Sequence, residues 1–122
     1  MSQRLRLLLR SSTDAPHRAR RAIGDLLERL RRTDLSPDAV LLASELVTNA
    51  VEHAGGPILL TAIYLDATLR VEVHDTYPEP PSLRPVTATD ETGRGLHLVR
   101  LIASRWATTP EPDGKTIWFE LR

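Results

Sequence analysis

The sequence has 122 residues, and its 16 Lys and Arg side chains balance 16 Asp and Glu side chains, so its formal net charge at pH 7 is zero. A chain of this length can bury one core of its own but not two, and a neutral balance lacks the basic excess that is typical of nucleic-acid-binding domains. The absence of cysteine excludes disulfides and thiolate metal sites.

These features predict one domain over residues 1–122 and a cytoplasmic location. No apolar stretch approaches the roughly 20 residues that a membrane-spanning helix needs. The apolar run Leu7–Leu9 is too short for a signal peptide, and a chain without cysteine suits a reducing compartment. We therefore expect no direct contact with nucleic acid or membrane.

The N-terminal third predicts a strand followed by an amphipathic helix. Arg4 to Leu7 alternates polar and apolar side chains, as a half-buried strand does. After a turn at Ser11–Asp14, apolar residues recur at helical spacing from Ala19 to Leu30. Most arginines of this helix lie off the apolar stripe, so we interpret them as a solvated face, with a partner-docking face as the alternative.

A second helix is predicted between Ser36 and the glycine pair at Gly55 and Gly56. Ser36 is a good N-cap, Pro37 suits the first helical position, and Asp38 complements the helix dipole in the first turn. The two glycines can end the helix.

A row of polar side chains runs along this second helix beside its apolar stripe. Glu45, Asn49 and His53 are spaced four residues apart, so they lie on one face of the helix. A carboxylate, an amide and an imidazole in one row can orient a ligand, a metal ion or a water. On this helix alone a solvated polar face is the favoured alternative, because short motifs match by chance.

Two strands follow, Ile58 to Leu65 and Leu69 to Asp75, joined by a short turn. The apolar residues of the second strand share one face, and Asp75 falls in the same register. A carboxylate at the end of a buried face is costly unless something donates a hydrogen bond to it. Either the strand has ended and Asp75 caps a turn, or Asp75 is a fixed acceptor at the mouth of a pocket, suited to an exocyclic amine.

The segment Thr76–Thr92 contains four prolines and predicts a loop that serves as a lid or a binding loop. Gly93-Arg94-Gly95 closes this loop and opens a helix that we expect from Leu96 to about Trp106. A glycine-rich turn at a helix N-terminus presents backbone N–H groups, and the helix dipole adds positive potential. The turn is therefore a candidate phosphate site.

The C-terminal residues predict a strand at Trp106–Thr109, a turn at Pro110–Gly114 and a last strand, Lys115–Leu121. Thr116 lies on the face of this last strand opposite to its apolar residues. The order strand, helix, helix, strand, strand, loop, helix, strand, strand predicts an α+β fold. We expect a two-layer α/β sandwich with the helices on one face of a mixed, mostly antiparallel sheet.

Taken together, the motifs resemble those of the Bergerat-fold ATPase superfamily, which includes DNA gyrase and the histidine kinases. The matching motifs, in order, are Glu45-x-x-x-Asn49-Ala50, Asp75 at a strand end, Gly93-x-Gly95-Leu96 and Gly114-Lys115-Thr116. The resemblance covers the whole chain. The closest branch is that of the small stand-alone anti-sigma-factor serine/threonine kinases.

The resemblance implies ATP and Mg²⁺ as cofactors and a role for each matching residue. Asn49 would be the protein ligand of Mg²⁺, Glu45 the general base toward a partner's hydroxyl or water, and Asp75 the acceptor for the adenine amino group. The other residues that would contact the nucleotide are His53, Gly93, Arg94, Gly95, Leu96 and Thr116.

The resemblance also implies an ATP-dependent protein serine/threonine kinase. It would phosphorylate a Ser or Thr of an anti-sigma-factor antagonist, or sequester a transcription factor such as a sigma factor, and members of this branch often form homodimers. Two alternatives stay open: a non-catalytic module that binds nucleotide and partner, and a degenerate interaction domain without nucleotide. Glu45 favours the enzyme. Glu91 favours the non-catalytic module, because some members of the branch carry an arginine at that position.

Overall fold

The computed structural model describes residues 3–53, 55–76 and 91–122, with side chains from residue 96 onward in the last segment. The described strands are β1 (Gln3–Leu9), β2 (Ile58–Leu65), β3 (Thr68–Asp75), β4 (Arg105–Glu111) and β5 (Gly114–Leu121). The described helices are α1 (Ala15–Arg29), α2 (Ser36–His53) and α3 (Glu91–Ile102), with a 3₁₀ turn at Thr33–Leu35. Within these residues, no helix is both long enough and apolar enough to cross a membrane.

The five described strands form one sheet in the order β1-β2-β3-β5-β4, and every pairing among them is antiparallel. The predicted α+β sandwich is confirmed, and its described strands make an antiparallel sheet rather than a mixed one. For two of the four pairings the reason is local, because two-residue connections join β2 to β3 and β4 to β5, and such turns join only antiparallel neighbours. In the first of these turns Asp66 and Ala67 both have positive φ, 52° and 59°, as hairpin turns of type I′ require.

The helices cover one face of the sheet and enclose the core. Apolar residues of α1 recur at helical spacing and are buried against α2, which packs in turn against β3 and α3. Strand residues on the helix-facing side are mostly apolar, and Phe119 in β5 is fully buried. Each such side chain contributes about 1.5–3 kcal/mol on burial, so this one layer of contacts holds the helices to the sheet.

The opposite face of the sheet, which we call the open face, carries charged and aromatic side chains. The Arg70 guanidinium lies 3.8 Å from the ring centre of Trp118 and also bonds Glu72 and Glu120. An arginine over an indole face gains a cation–π attraction of about 0.5–1 kcal/mol where it is exposed. These contacts join side chains of β3 and β5 on the side of the sheet away from the helices, and so stabilise the pairing of the two strands.

The boundaries of α3 differ from the prediction at both ends. The helix begins at Glu91 and ends at Ile102, whereas the sequence predicted a helix from Leu96 to about Trp106. Trp106 lies in β4, paired with Phe119 of β5. An apolar residue four positions after Ile102 fits either a helix or a strand, and pairing with β5 decides the outcome. Of the predicted loop Thr76–Thr92, residues 77–90 lie outside the described residues.

Candidate functional site

The candidate site lies at one end of the sheet, where β3 finishes and β5 starts. The C-terminal end of α2 reaches this end of the sheet, because a Cβ atom at Gly56 would lie 2.7 Å from Thr76 Oγ1. The connection that leads into α2 is held at the other end, where Arg32 Nη1 donates to Tyr64 Oη at 2.7 Å and to Ala67 O at 3.4 Å. Helix α2 therefore runs toward Asp75, and its last turns lie nearest to the site.

Asp75 occupies the position that its register predicts. It is the last residue of β3, it lies on the helix-facing side, and it is 4% exposed. Its partner is Lys115, directly opposite in β5, whose Nζ lies 3.0 Å from both carboxylate oxygens. Each side chain is less than a tenth exposed, so the two opposite charges balance each other inside the protein.

Sequence reasoning assigned no role to Lys115. The signal was present, because Lys115 stands two residues before Ile117 and so shares the face of Ile117, Phe119 and Leu121. The contact with Asp75 depends on β5 lying next to β3, an arrangement that only the folded sheet supplies.

Helix α2 carries the polar row that the sequence predicted. Asn49 is 8% exposed, Glu45 is half-buried and His53 is exposed at the end of the helix. Leu46 and Ala50 beside Asn49 are buried, so tertiary packing fixes the direction of this part of the helix. The row thus passes from the protein interior at Asn49 to solvent at His53.

The double-glycine segment lies within α3 rather than before it. A helix leaves the N–H groups of its N-cap and of its first three residues without an intrahelical partner, and with the start at Glu91 the described ones belong to residues 91–93. Gly93 is among them, whereas Arg94, Gly95 and Leu96 follow. The Leu96 side chain is part of the hydrophobic core, where it fixes the first turns of α3 against the sheet.

The first turn of α3 points toward the Asp75 end of the sheet. Helix α3 finishes just before β4, at the opposite end, where Ser104 N donates to Glu120 O at 2.8 Å. A helix of 12 residues is about 18 Å long, and α3 packs along α2. Its N-terminal residues therefore extend back from that end toward the end that holds Asp75.

Thr116 is not brought together with the other predicted residues. It lies on the open face, where its Oγ1 is 3.1 Å from His74 Nδ1 and 3.4 Å from Glu111 Oε1. Thr116 and His74 line a shallow depression of about 430 Å³ together with Arg4 and Arg6 of β1. This depression is on the opposite side of the sheet from Asp75 and the helices.

The residues at the site fit a magnesium ion that arrives with a nucleotide. Among the described residues, no group of three or more His, Cys, Asp or Glu side chains could hold a metal ion by itself. Mg²⁺ bound to nucleotide phosphates needs only one or two protein ligands and keeps several waters. The amide oxygen of Asn49 supplies a hard oxygen donor of that kind.

Comparison with known proteins identifies the family. The family model described as histidine kinase-like ATPase domain matches residues 9–121. The chain is 35% identical over 80 residues to the uncharacterized protein SCO4941 of Streptomyces coelicolor, a match that covers 61% of this chain and 75% of that protein. The resemblance to the Bergerat-fold ATPases is thereby confirmed.

A solved structure has the same fold. The crystal structure of the RsbU and RsbW domains of Rv1364c from Mycobacterium tuberculosis superimposes with a TM-score of 0.76 and 22% identity, over 98% of this chain. The present chain spans 32% of that longer chain. At this identity, the likeness establishes the fold.

Proposed function

We infer the function of this chain from the family to which it belongs, that of the histidine kinase-like ATPase domains. We propose that it binds ATP with Mg²⁺ between α2 and the end of β3 and acts as a cytoplasmic regulatory protein kinase. One observation carries the proposal: a carboxylate that is 4% exposed, Asp75, ends a central strand on the helix side. A buried acceptor at such a position suits the amino group of a base.

The location of each group supports the role that we propose for it. Asn49 Oδ1 is the protein ligand of the metal ion, which when bound neutralises charge on the phosphates. Glu45, one turn earlier and half-buried, accepts the proton of an incoming hydroxyl at its carboxylate. The N–H group of Gly93 in the first turn of α3 binds phosphate oxygens, where the helix dipole favours negative charge, and the cationic Arg94 follows it directly.

The remaining predicted residues have three different roles in this proposal. His53 is exposed one turn after Asn49 and contacts the nucleotide from the solvent side. Gly95 and Leu96 support the first turn of α3 through its backbone and through the core. Thr116 takes no part, because its contacts are with His74 on the open face.

The hydroxyl that receives the phosphate belongs to a Ser or Thr of a protein partner. We propose that this partner is an anti-sigma-factor antagonist, and that the chain also sequesters a sigma factor. The resemblance to the anti-sigma-factor kinases supports both parts, and so does the likeness to a chain with RsbU and RsbW domains. A non-catalytic module that binds nucleotide and partner is the second candidate, which Glu91 favours.

Nucleotide binding is tested by calorimetric titration of the protein with a non-hydrolysable ATP analogue, with and without Mg²⁺. We expect saturable binding that is tighter with Mg²⁺. Absence of heat and of any change in the amide NMR spectrum would reject the proposal in favour of an interaction domain without nucleotide.

Phosphate transfer is tested with γ-labelled ATP and candidate antagonist domains. We expect label on the antagonist, and we expect Glu45→Gln to reduce its rate of transfer by about 10²–10⁴-fold, as loss of a general base does. Glu52→Gln, an exposed carboxylate of the same helix, is the matched control and should transfer normally. If the protein binds ATP but transfers no label, and if Glu45→Gln gives the same result as the original protein, the chain is the non-catalytic module.

A further inference from the structure

Lys115 is a buried cation at the place where the proposed function needs a base-recognition residue. Its Nζ lies 3.0 Å from each oxygen of Asp75, and the two side chains are 7% and 5% exposed. Both residues occupy positions of their strands that face the helices. The other such positions in β5 are occupied by Ile117, Phe119 and Leu121. A charged pair in a row of apolar residues is unusual, since apolar residues of similar volume often stabilise such a position equally well or better.

We propose that Lys115 is a specificity-determining residue that donates a hydrogen bond to a ring nitrogen of adenine, while Asp75 accepts from the neighbouring amino group. This inference rests on the proposed ATP site and adds to it a second contact on the base. In adenine, ring nitrogen N1 is an acceptor directly beside the 6-amino donor. The Asp75–Lys115 pair presents an acceptor and a donor side by side in the complementary order.

The hydrogen-bonding capacity of the two groups allows this arrangement. An ammonium group has three N–H donors, and a carboxylate has about four acceptor positions. The charges of the pair also cancel, so a neutral base can lie against it without leaving a net charge buried.

Backbone geometry keeps the pair in place. Asp75 and Lys115 are opposite residues of adjacent antiparallel strands, and Gly114 beside Lys115 has a φ of 156° and no side chain. The carbonyl of Asp75 approaches Gly114 so closely that any Cβ atom there would collide with it. Donor and acceptor are thus held by the two central strands rather than by a loop, as a preorganised recognition site requires.

The test uses analogues of ATP that each lack one group of the base. Replacing N1 by a carbon, in 1-deaza-ATP, removes the acceptor that Lys115 would use and leaves the amino group. In the original protein we expect 1-deaza-ATP to bind about 10- to 150-fold more weakly than ATP, the range for a hydrogen bond to a charged group. In Lys115→Met this ratio should fall close to one.

Purine riboside triphosphate, which lacks the 6-amino group, is the matched control ligand. The affinity of this analogue relative to that of ATP reports on the contact of the amino group with Asp75. In Lys115→Met, the loss of affinity relative to ATP should therefore be larger for purine riboside triphosphate than for 1-deaza-ATP. Lys115→Arg keeps the cation and serves as the second variant if Lys115→Met does not fold, which circular dichroism would reveal. It should retain at least part of the preference for ATP over 1-deaza-ATP.

The possible results are distinct. If the original protein binds ATP and 1-deaza-ATP equally, the inference is overturned while the ATP site stands. If Lys115→Met binds ATP more tightly, Lys115 competes for Asp75 instead of assisting it, and the inference is again overturned. If the original protein binds neither triphosphate, the proposed function fails and this inference fails with it.

Discussion

A Cβ atom at Gly114 would lie 1.9 Å from the carbonyl oxygen of Asp75 and 2.8 Å from Thr76 Cα. Both neighbours are backbone atoms, so they cannot move aside as a flexible side chain would. We therefore expect Gly114→Ala to lower the free energy of unfolding by about 2–6 kcal/mol, the sum of a strained φ and of overpacking. Urea denaturation followed by circular dichroism measures this change.

Gly24 in α1 is the control for that substitution. A Cβ atom there meets no other atom within 4 Å, and alanine favours the helix over glycine by about 0.5–1 kcal/mol. Gly24→Ala should therefore raise the stability slightly. Equal effects of the two alanine variants would mean that the close approach of β5 to Asp75 does not exist in solution.

The Asp75–Lys115 pair predicts strong non-additivity in stability. Removing one member leaves a buried charge without its partner, so Lys115→Met and Asp75→Leu should each cost roughly 3–5 kcal/mol. The double variant Asp75→Leu/Lys115→Met should cost much less than the sum of single replacements, because no charge remains buried. Arg105→Gln, which removes the exposed partner in an ion pair with Glu120, should cost less than about 1 kcal/mol. Additive single and double effects would contradict a buried pair.

Gly56 lies close to Thr76, so a second substitution at Thr76 should restore stability that is lost by a substitution at Gly56. A Cβ atom at Gly56 would lie 2.7 Å from Thr76 Oγ1, whereas at Gly55 it would meet nothing within 4 Å. Gly56→Ala should therefore destabilise the protein only slightly, by about 1 kcal/mol, because the exposed Thr76 side chain can rotate away, and Gly55→Ala should be close to neutral. Adding Thr76→Ala to Gly56→Ala should recover part of the loss in thermal denaturation, since it removes the crowded atoms. Absence of recovery would place the strain elsewhere.

The role proposed for Asn49 predicts how nucleotide binding depends on magnesium. Asn49→Ala removes the amide oxygen proposed as metal ligand, so we expect the gain in ATP affinity on adding Mg²⁺ to disappear. Calorimetric titration with and without Mg²⁺ measures that gain. Asp38→Ala, at the exposed start of the same helix, should keep it in full. An unchanged affinity of Asn49→Ala in the presence of Mg²⁺ would reject the assignment.

Much of this fold follows from local patterns in the sequence. Alternation predicts β3 and the inward side of Asp75. The capping pattern predicts the start of α2 to within one residue: Ser36, the predicted N-cap, has φ −62° and ψ −45° and is already helical. Trp106 was assigned to a helix because its spacing from Ile102 fits a helical stripe, while β-sheet pairing with Phe119 is a tertiary effect. Alternation, helical spacing and capping residues each describe a single helix or strand. They predict correctly where the conformation of a segment does not depend on its contacts with other segments.

The candidate site was harder to predict because it joins distant elements. Glu45 and Asn49 could be recognised together, since both belong to α2. The contact between Lys115 and Asp75 requires the strand order β3-β5, which alternation within either strand does not reveal. Thr116 shows the converse, because its motif suggested the site and its register carries it to the open face.

The ion pair also bears on the order of folding. Asp75 and Lys115 are separated by 40 positions along the chain, and their meeting closes a long loop whose entropy must be overcome before the contact is gained. During synthesis, a nascent chain that lacks the C-terminal hairpin has the carboxylate without the cation. We therefore expect competence to bind nucleotide to arise late, with the docking of β5, so that ligand capture reports completion of the whole sheet.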